Sequence, residues 1–131
     1  MTNKLTIREV ELYKLSIPLI EPFTTSLGME TSADNVLVKI KTNAGITGFG
    51  ECSPYMPING ESQDTCFIVG QYFAQALKGK DALQIEECIN LMDKIIYANT
   101  SIKSAFDMAL YDMASQHAGL PLYKFIGGAN N

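Results

Sequence analysis

The hydrophobic period of this chain changes once, and that change restricts the possible folds more than any other feature of the sequence. Up to about Ser53, apolar and polar residues tend to alternate, the period of two that lays one face of a strand on a core. From about Phe67 onward, apolar residues recur every three or four positions, the period of a helix. Strands gathered in the first half and helices in the second predict a segregated α+β domain, its helices covering one face of a small antiparallel sheet. The 131 residues suit one core. With 47% hydrophobic and 18% charged residues, the composition is globular rather than disordered.

Within the first half, Leu5–Leu19 reads as a strand whose alternation slips near Val10 and again near Tyr13, as in a long, twisted or bulged edge strand. Asn35–Thr42 and Ile46–Ser53 flank Asn43-Ala44-Gly45, a loop with glycine where a left-handed backbone is wanted, and are predicted to form a hairpin. Two stretches read as exposed loops: Ile20–Asp34, polar and glycine-punctuated, and Pro54–Gly60. In the second half, Phe67, Ile68, Tyr72, Phe73, Ala76 and Leu77 mark a first helix ending at Lys78-Gly79. Asp81 is placed as the cap of a second, with Ile85, Cys88, Ile89, Met92 and Ile96 on one face and Glu86 and Glu87 near its positive end. A third starts near Thr100 or Ser101 and carries Ile102, Phe106, Ala109, Leu110, Met113 and Ala114. Gly119 stops it, and Pro121 opens a short turn over Leu122–Ile126. The expected architecture is a three-stranded antiparallel sheet followed by a bundle of about three helices.

Charge and motif exclude several functions. A net charge of −4 without a basic run gives neither nucleic acid nor an anionic membrane anything to bind. Apolar runs are short and the N-terminus is charged from Lys4, so neither a signal peptide nor a transmembrane span is expected, and the chain reads as cytoplasmic. Cys52, Cys66 and Cys88 are odd in number and far apart, and read as ordinary apolar positions. Asp107 and Asp112 point about 140° apart on a helix, which denies them a shared acid–base or metal site and assigns them structural roles. His117 falls in a helix's last turn, where a cation is mildly favoured. Lys39 and Lys41 share one face of a strand, read as a solvated edge. Gly45–Glu51 has the look of a phosphate loop but lies inside a hairpin strand and opens no helix. Residue by residue, the chain holds no self-sufficient catalytic constellation.

Taken in order, "LSIPLIEPFTTS" (Leu15–Ser26), "GITGFGE" (Gly45–Glu51), "PINGES" (Pro57–Ser62), "SAFDMALYDMASQ" (Ser104–Gln116) and "GLPLYKFIGG" (Gly119–Gly128) resemble the N-terminal capping domain of the enolase superfamily. The resemblance is strongest to the muconate-lactonising subgroup and its dipeptide epimerases, and it covers nearly the whole chain. It implies a capping domain over residues 1–126 and, at 127–131, the start of a linker to a (β/α) barrel that this sequence does not contain. The implied activity of the intact enzyme is that of an isomerase: a proton α to a carboxylate is removed and returned through an enediolate. The Mg²⁺ that such chemistry requires would be held by the barrel and not by this segment, and no catalytic residue is assigned here. The family's K-x-K pair belongs to a barrel strand, so Lys39 and Lys41 do not inherit its role.

By position in the family pattern, Thr24, Thr25, Ser26, Gly28, Tyr55 and Ile58 are the residues expected nearest substrate, on two loops that close over the barrel mouth. In the L-Ala-D/L-Glu epimerases the first loop carries an arginine for the glutamyl carboxylate; the matching position here is Gly28. No Arg or Lys lies between Glu21 and Val38, and Ile58 offers an apolar wall. The resemblance therefore implies a preference for Ala-Ala or hydrophobic dipeptides over Ala-Glu. The expected partners are the dipeptide, the C-terminal barrel domain of the same chain, and further copies in a homo-oligomer. A cap of a muconate cycloisomerase or an o-succinylbenzoate synthase-like enzyme, and a stand-alone α+β binding module, remain alternatives.

Overall fold

The computed structural model describes residues 4–25 and 28–129. Three strands, β1 (Ile7–Thr25), β2 (Gly28–Thr42) and β3 (Thr47–Cys52), pair antiparallel in the order β1-β2-β3. Helices α1 (Met56–Asn59), α2 (Gln63–Leu77), α3 (Ile85–Ile95), α4 (Thr100–His117) and α5 (Leu122–Phe125) follow. This is the segregated α+β order that the change of period predicts.

The alternation of β2 fixes which face is inside. Val36, Val38 and Ile40 are fully buried against the helices, while Leu37, Lys39 and Lys41 lie on the outer face. Facing them from the helices are Phe73 of α2 and Ile102, Phe106, Leu110 and Met113 of α4, all buried, with the Phe73 and Phe106 rings edge to face at 5.4 Å. The outer face carries cross-strand charge pairs instead, Lys41 to Glu11 at 2.7 Å among them. Lys39 and Lys41 are thus on an outer face, as expected, but of the central strand rather than an edge.

The tightest packing joins β3 to α4. A Cβ at Gly50 would lie 1.8 Å from the Ala105 carbonyl oxygen, and one at Gly48 would lie 2.3 Å from that of Ala109. Gly48 and Gly50 of "GITGFGE" therefore serve close backbone approach, with alanine as the facing residue on the helix, while Gly45 supplies the left-handed turn of the hairpin at φ +76°. Asp112 and Gln116, one turn apart on α4, then reach the open edge of β3: Asp112 Oδ2 accepts from the Phe49 amide at 2.9 Å, and Gln116 Nε2 donates to the Thr47 carbonyl at 2.8 Å. Two backbone groups of an edge strand are satisfied, and Asp112 is structural as expected.

Four local expectations need correction. Ile20–Asp34 is not a loop: β1 and β2 continue past the sheet as a two-stranded arm with its tip at Thr25 and Gly28, and the register shifts between Pro18 and Phe23. Polar residues suit such a ribbon because both of its faces meet water. The second expected slip, near Tyr13, is absent; Lys14 sits on the inner face in register and carries its ammonium out to Asp64 at 2.7 Å, over the Phe67 ring. The buried stripe of α2 is Cys66, Val69, Gly70, Phe73 and Leu77, leaving Ile68 and Tyr72 exposed. Asp81 does not cap α3, which starts four residues later; its Oδ1 accepts from the Leu83 and Leu5 amides, closing a turn and fastening it to the start of β1.

Gly50→Ala should lower the stability of the chain by about 3 kcal/mol, because neither the helix backbone nor the strand can yield by the required distance. Gln75→Ala, on the exposed face of α2, should change it by no more than about 0.5 kcal/mol. Urea unfolding followed by circular dichroism checks both.

Candidate functional site

The arm and the segment after β3 meet. Leu19, Glu30, Ser32 and Asp34 of the arm face Ser53, Pro54 and Tyr55 across a groove of about 400 Å³. A second groove continues from Glu30 and Asp34 past Met56 to Glu61 and Asp64. The lining is apolar at Leu19, Pro54 and Tyr55, and anionic at Glu30 and Asp34.

The segment from Tyr55 to Glu61 is built around one side chain. Pro57 sits in the first turn of α1, and Gly60 ends it in the left-handed conformation, φ +72°, with its amide bonded to the Met56 carbonyl. Asn59 Oδ1 accepts from the Tyr55 amide at 3.3 Å and from the Glu61 amide at 3.1 Å, closing the segment on itself. Asn59 Nδ2 donates to Ser101 Oγ at 2.9 Å. Glu61 is 3% exposed, and its carboxylate accepts from the Ser101 amide at 3.0 Å and the Ile102 amide at 3.4 Å.

That carboxylate takes the place of an ordinary cap for α4. The N-cap residue, Asn99, has φ +55° and turns its side chain back to the Tyr97 carbonyl, so it leaves the first-turn amides unmet. A carboxylate at that end of the helix is favoured by the dipole as well as by the hydrogen bonds. Ser62 then caps α2 through a reciprocal box with Thr65. Sequence reading missed Asn59 and Glu61 because both partners lie some 40 positions away on α4.

The residues expected nearest substrate divide into two groups. Tyr55, half-buried, and Ile58, 78% exposed, lie together on the α1 turn. Thr24, Thr25 and Gly28 lie at the tip of the arm, beyond Glu30; Ser26 falls outside the described residues. Gly28 has φ +147°, a backbone that residues with a side chain rarely adopt. The glycine therefore meets a conformational need as well as leaving the position without a cation.

Of the thiols, Cys66 reaches the segment from Tyr55 to Glu61, its Sγ donating to Glu61 Oε1 at 3.5 Å. Cys52, Cys66 and Cys88 are buried and unbridged. Hydrogen bonding with Cys66 holds Cys52 below the usual thiol range, and the same contact with burial pushes Cys66 well above it. Burial pushes Cys88 up to about 11. Asp107, on α4, is raised by burial alone. His117 occupies the last turn of α4 as expected. Among the described residues, no three His, Cys, Asp or Glu side chains converge in a way that could hold a metal ion. No helix among them is long and apolar enough to cross a membrane.

Residues 7–127 match the mandelate racemase / muconate lactonizing enzyme N-terminal domain family. The chain belongs to this family. It is 60% identical over 122 residues to the D-Ala-D/L-Ala epimerase of Cytophaga hutchinsonii, covering 93% of this chain and 33% of that protein. Identity to the hydrophobic dipeptide epimerase of Enterococcus faecalis is 38% over 125 residues, 95% of this chain and 35% of the relative. The crystal structure of a dipeptide epimerase from Cytophaga hutchinsonii, complexed with Mg and the dipeptide D-Ala-L-Val, superposes with a TM-score of 0.94 at 57% identity, over 97% of this chain and 34% of that one. The family assignment and the enolase-type N-terminal fold are those the sequence motifs imply. The chain spans about a third of the length of these relatives.

With no converging ligand set, the 131-residue chain should not exchange the α-proton of any dipeptide into D₂O, with or without millimolar Mg²⁺. Proton NMR of Ala-Ala and Ala-Glu incubated with the chain checks this; measurable exchange above a heat-treated control would contradict it.

Proposed function

We propose that this chain is the capping and specificity domain of a Mg²⁺-dependent, cytoplasmic dipeptide epimerase that favours Ala-Ala or hydrophobic dipeptides over Ala-Glu. The domain would extend over residues 1–126, with 127–131 leading toward a catalytic barrel. The observation that carries this reading is the electrostatic character of the arm and its groove. Glu30 and Asp34 line the groove beside Tyr55, and no Arg or Lys occurs from Glu21 to Val38. A glutamyl carboxylate placed there would meet like charge where binding needs a cation. Ile58, exposed on the α1 turn, supplies apolar surface for a hydrophobic second residue. Identity is 60% to a D-Ala-D/L-Ala epimerase and 38% to a hydrophobic dipeptide epimerase, against 35% to L-Ala-D/L-Glu epimerases, and the first of these values supports this reading.

Among the described residues no set of acidic side chains converges to hold Mg²⁺, so the metal and the groups that move the proton would come from outside this chain. What the chain would supply is closure. The arm tip, with Thr24, Thr25 and Gly28, and the α1 turn, with Tyr55 and Ile58, would cover the reacting centre and exclude water, and Ser26 is proposed with them on the family pattern alone.

A dipeptide panel on the enzyme that contains this chain tests the specificity. Wild type should turn over Ala-Ala with kcat/KM at least about tenfold above Ala-Glu, the size of effect expected from about 1.4 kcal/mol of lost transition-state binding. Gly28→Arg should move the ratio toward Ala-Glu relative to Gly28→Ala, which carries the same backbone strain without the charge. A wild-type preference for Ala-Glu, or equal ratios in the two variants, would contradict the proposal. A preference for Lys- or Arg-containing dipeptides would replace it with a reading in which Glu30 and Asp34 hold a cationic side chain.

The contact with the barrel would include α5. Phe125 packs on Tyr111 of α4, while Leu122, Tyr123 and Ile126 remain exposed, Ile126 by 64%. The 131-residue chain alone should therefore bind 8-anilinonaphthalene-1-sulfonate and self-associate at high concentration, and Leu122→Ser with Ile126→Ser should reduce both. A monomer silent to the dye would rule out this contact.

A further inference from the structure

We infer that Asn59 is a positioning residue for substrate selection, holding the Tyr55–Ile58 turn in place by tying it to the first turn of α4. The inference rests on the proposed reading of that turn as part of the substrate-facing surface. Three observations carry it. The Asn59 amide makes all of its bonds at the two ends of the turn and at α4: Tyr55 and Glu61 amides to its oxygen, Ser101 Oγ to its nitrogen. The anchor point is rigid, because Ser101 and Ile102 are also bound by the buried Glu61 carboxylate and α4 is locked to β3 at Gly48 and Gly50. Within the turn, backbone bonds from Ile58 and Asn59 to the Tyr55 carbonyl and from Gly60 to the Met56 carbonyl shape one helical turn, while the Met56 and Ile58 side chains are exposed by 61% and 78% and the Asn59 side chain ties that turn to α4.

Asn59 and Glu61 divide the work differently. Glu61 is buried and satisfies a helix end, so its removal would disturb the whole fold. Asn59 is exposed, and its removal frees the turn without leaving a buried charge unpaired. Side-chain amide bonds hold a loop near one geometry, and a loop released from that geometry must be reordered each time substrate binds. That cost falls on KM and on discrimination between second residues, while the groups that move the proton are untouched. The orientation of the amide is fixed by its neighbours: both backbone N–H groups require the oxygen on their side, which directs the nitrogen to Ser101.

The test uses the enzyme that contains this chain, assayed on Ala-Ala and on Ala-Leu. Asn59→Ala should raise KM for Ala-Leu about fivefold and narrow the difference between the two dipeptides, with kcat within about twofold and Tm close to wild type. Asn59→Asp keeps the acceptor for Tyr55 and Glu61, and its second oxygen can accept from the Ser101 hydroxyl in place of the lost N–H donor, so it should stay close to wild type. Ser101→Ala removes the partner of Nδ2 and leaves the bonds to the Tyr55 and Glu61 amides, so it should fall between wild type and Asn59→Ala; Ser101→Thr should behave as wild type, and Ser101→Ala added to Asn59→Ala should cost nothing further. Unchanged KM and selectivity in an active Asn59→Ala enzyme would overturn the inference alone. Parallel loss of kcat and Tm would overturn it by showing a merely structural role. A wild-type enzyme inactive on every dipeptide would overturn the proposed function, and this inference with it.

Discussion

The close approach of β3 to α4 is the contact on which the rest of this domain depends. Gly48 and Gly50 bring the strand within reach of the helix backbone at Ala105 and Ala109, a distance that no side chain on the strand would permit. Once α4 lies there, Asp112 and Gln116 can close the strand's free edge from one end of the helix. At the other end, Ser101 and Ile102 become the fixed partners of Glu61 and Asn59. One helix thus references the sheet and the α1 turn to a common frame. The apolar core between Val36, Val38 and Ile40 and the rings of Phe73 and Phe106 supplies most of the driving force, but it is less demanding of geometry than the glycine contact.

The charges near the groove have a matching logic. Under the proposed reading, a capping domain that selects small or apolar dipeptides would need no cation on its closing surfaces, and Gly28 together with the acids of the arm provides none. The same glycine is held at φ +147°, so conformation and the proposed specificity would meet at one position. A relative with a charged residue there would need a different path for the tip of its arm. Selection by loops on a fixed frame lets substrate preference change without disturbing the frame.

Much of the fold was legible because hydrophobic period reports burial directly. The stripe of α4 was read correctly from Ile102 to Ala114, and each of those residues is buried. Ile68 and Tyr72 misled because apolar character alone does not separate the inner face of α2 from an outer one; Cys66, Val69 and Gly70, less hydrophobic or smaller, hold the core positions. In sequence the arm looks like a loop, because a ribbon exposed on both faces has no apolar side to betray it. The site residues came from the family motifs rather than from periodicity, and the bonds that hold them escaped both. Asn59, Glu61 and Ser101 carry no local signature, since a side chain capping a helix some 40 residues away becomes visible only when the chain is folded.

Native-state hydrogen exchange on the chain tests the central claim, that α4 clamped to β3 is the frame and the arm is appended to it. The amides of Phe49, Ser101 and Ile102 should exchange only through global unfolding, because their acceptors belong to that frame. Amides of the arm between Phe23 and Ser32 should exchange through local opening at least about a hundredfold faster. If Ser101 and Ile102 instead exchange as fast as the arm, the carboxylate cap and the frame built on it are wrong.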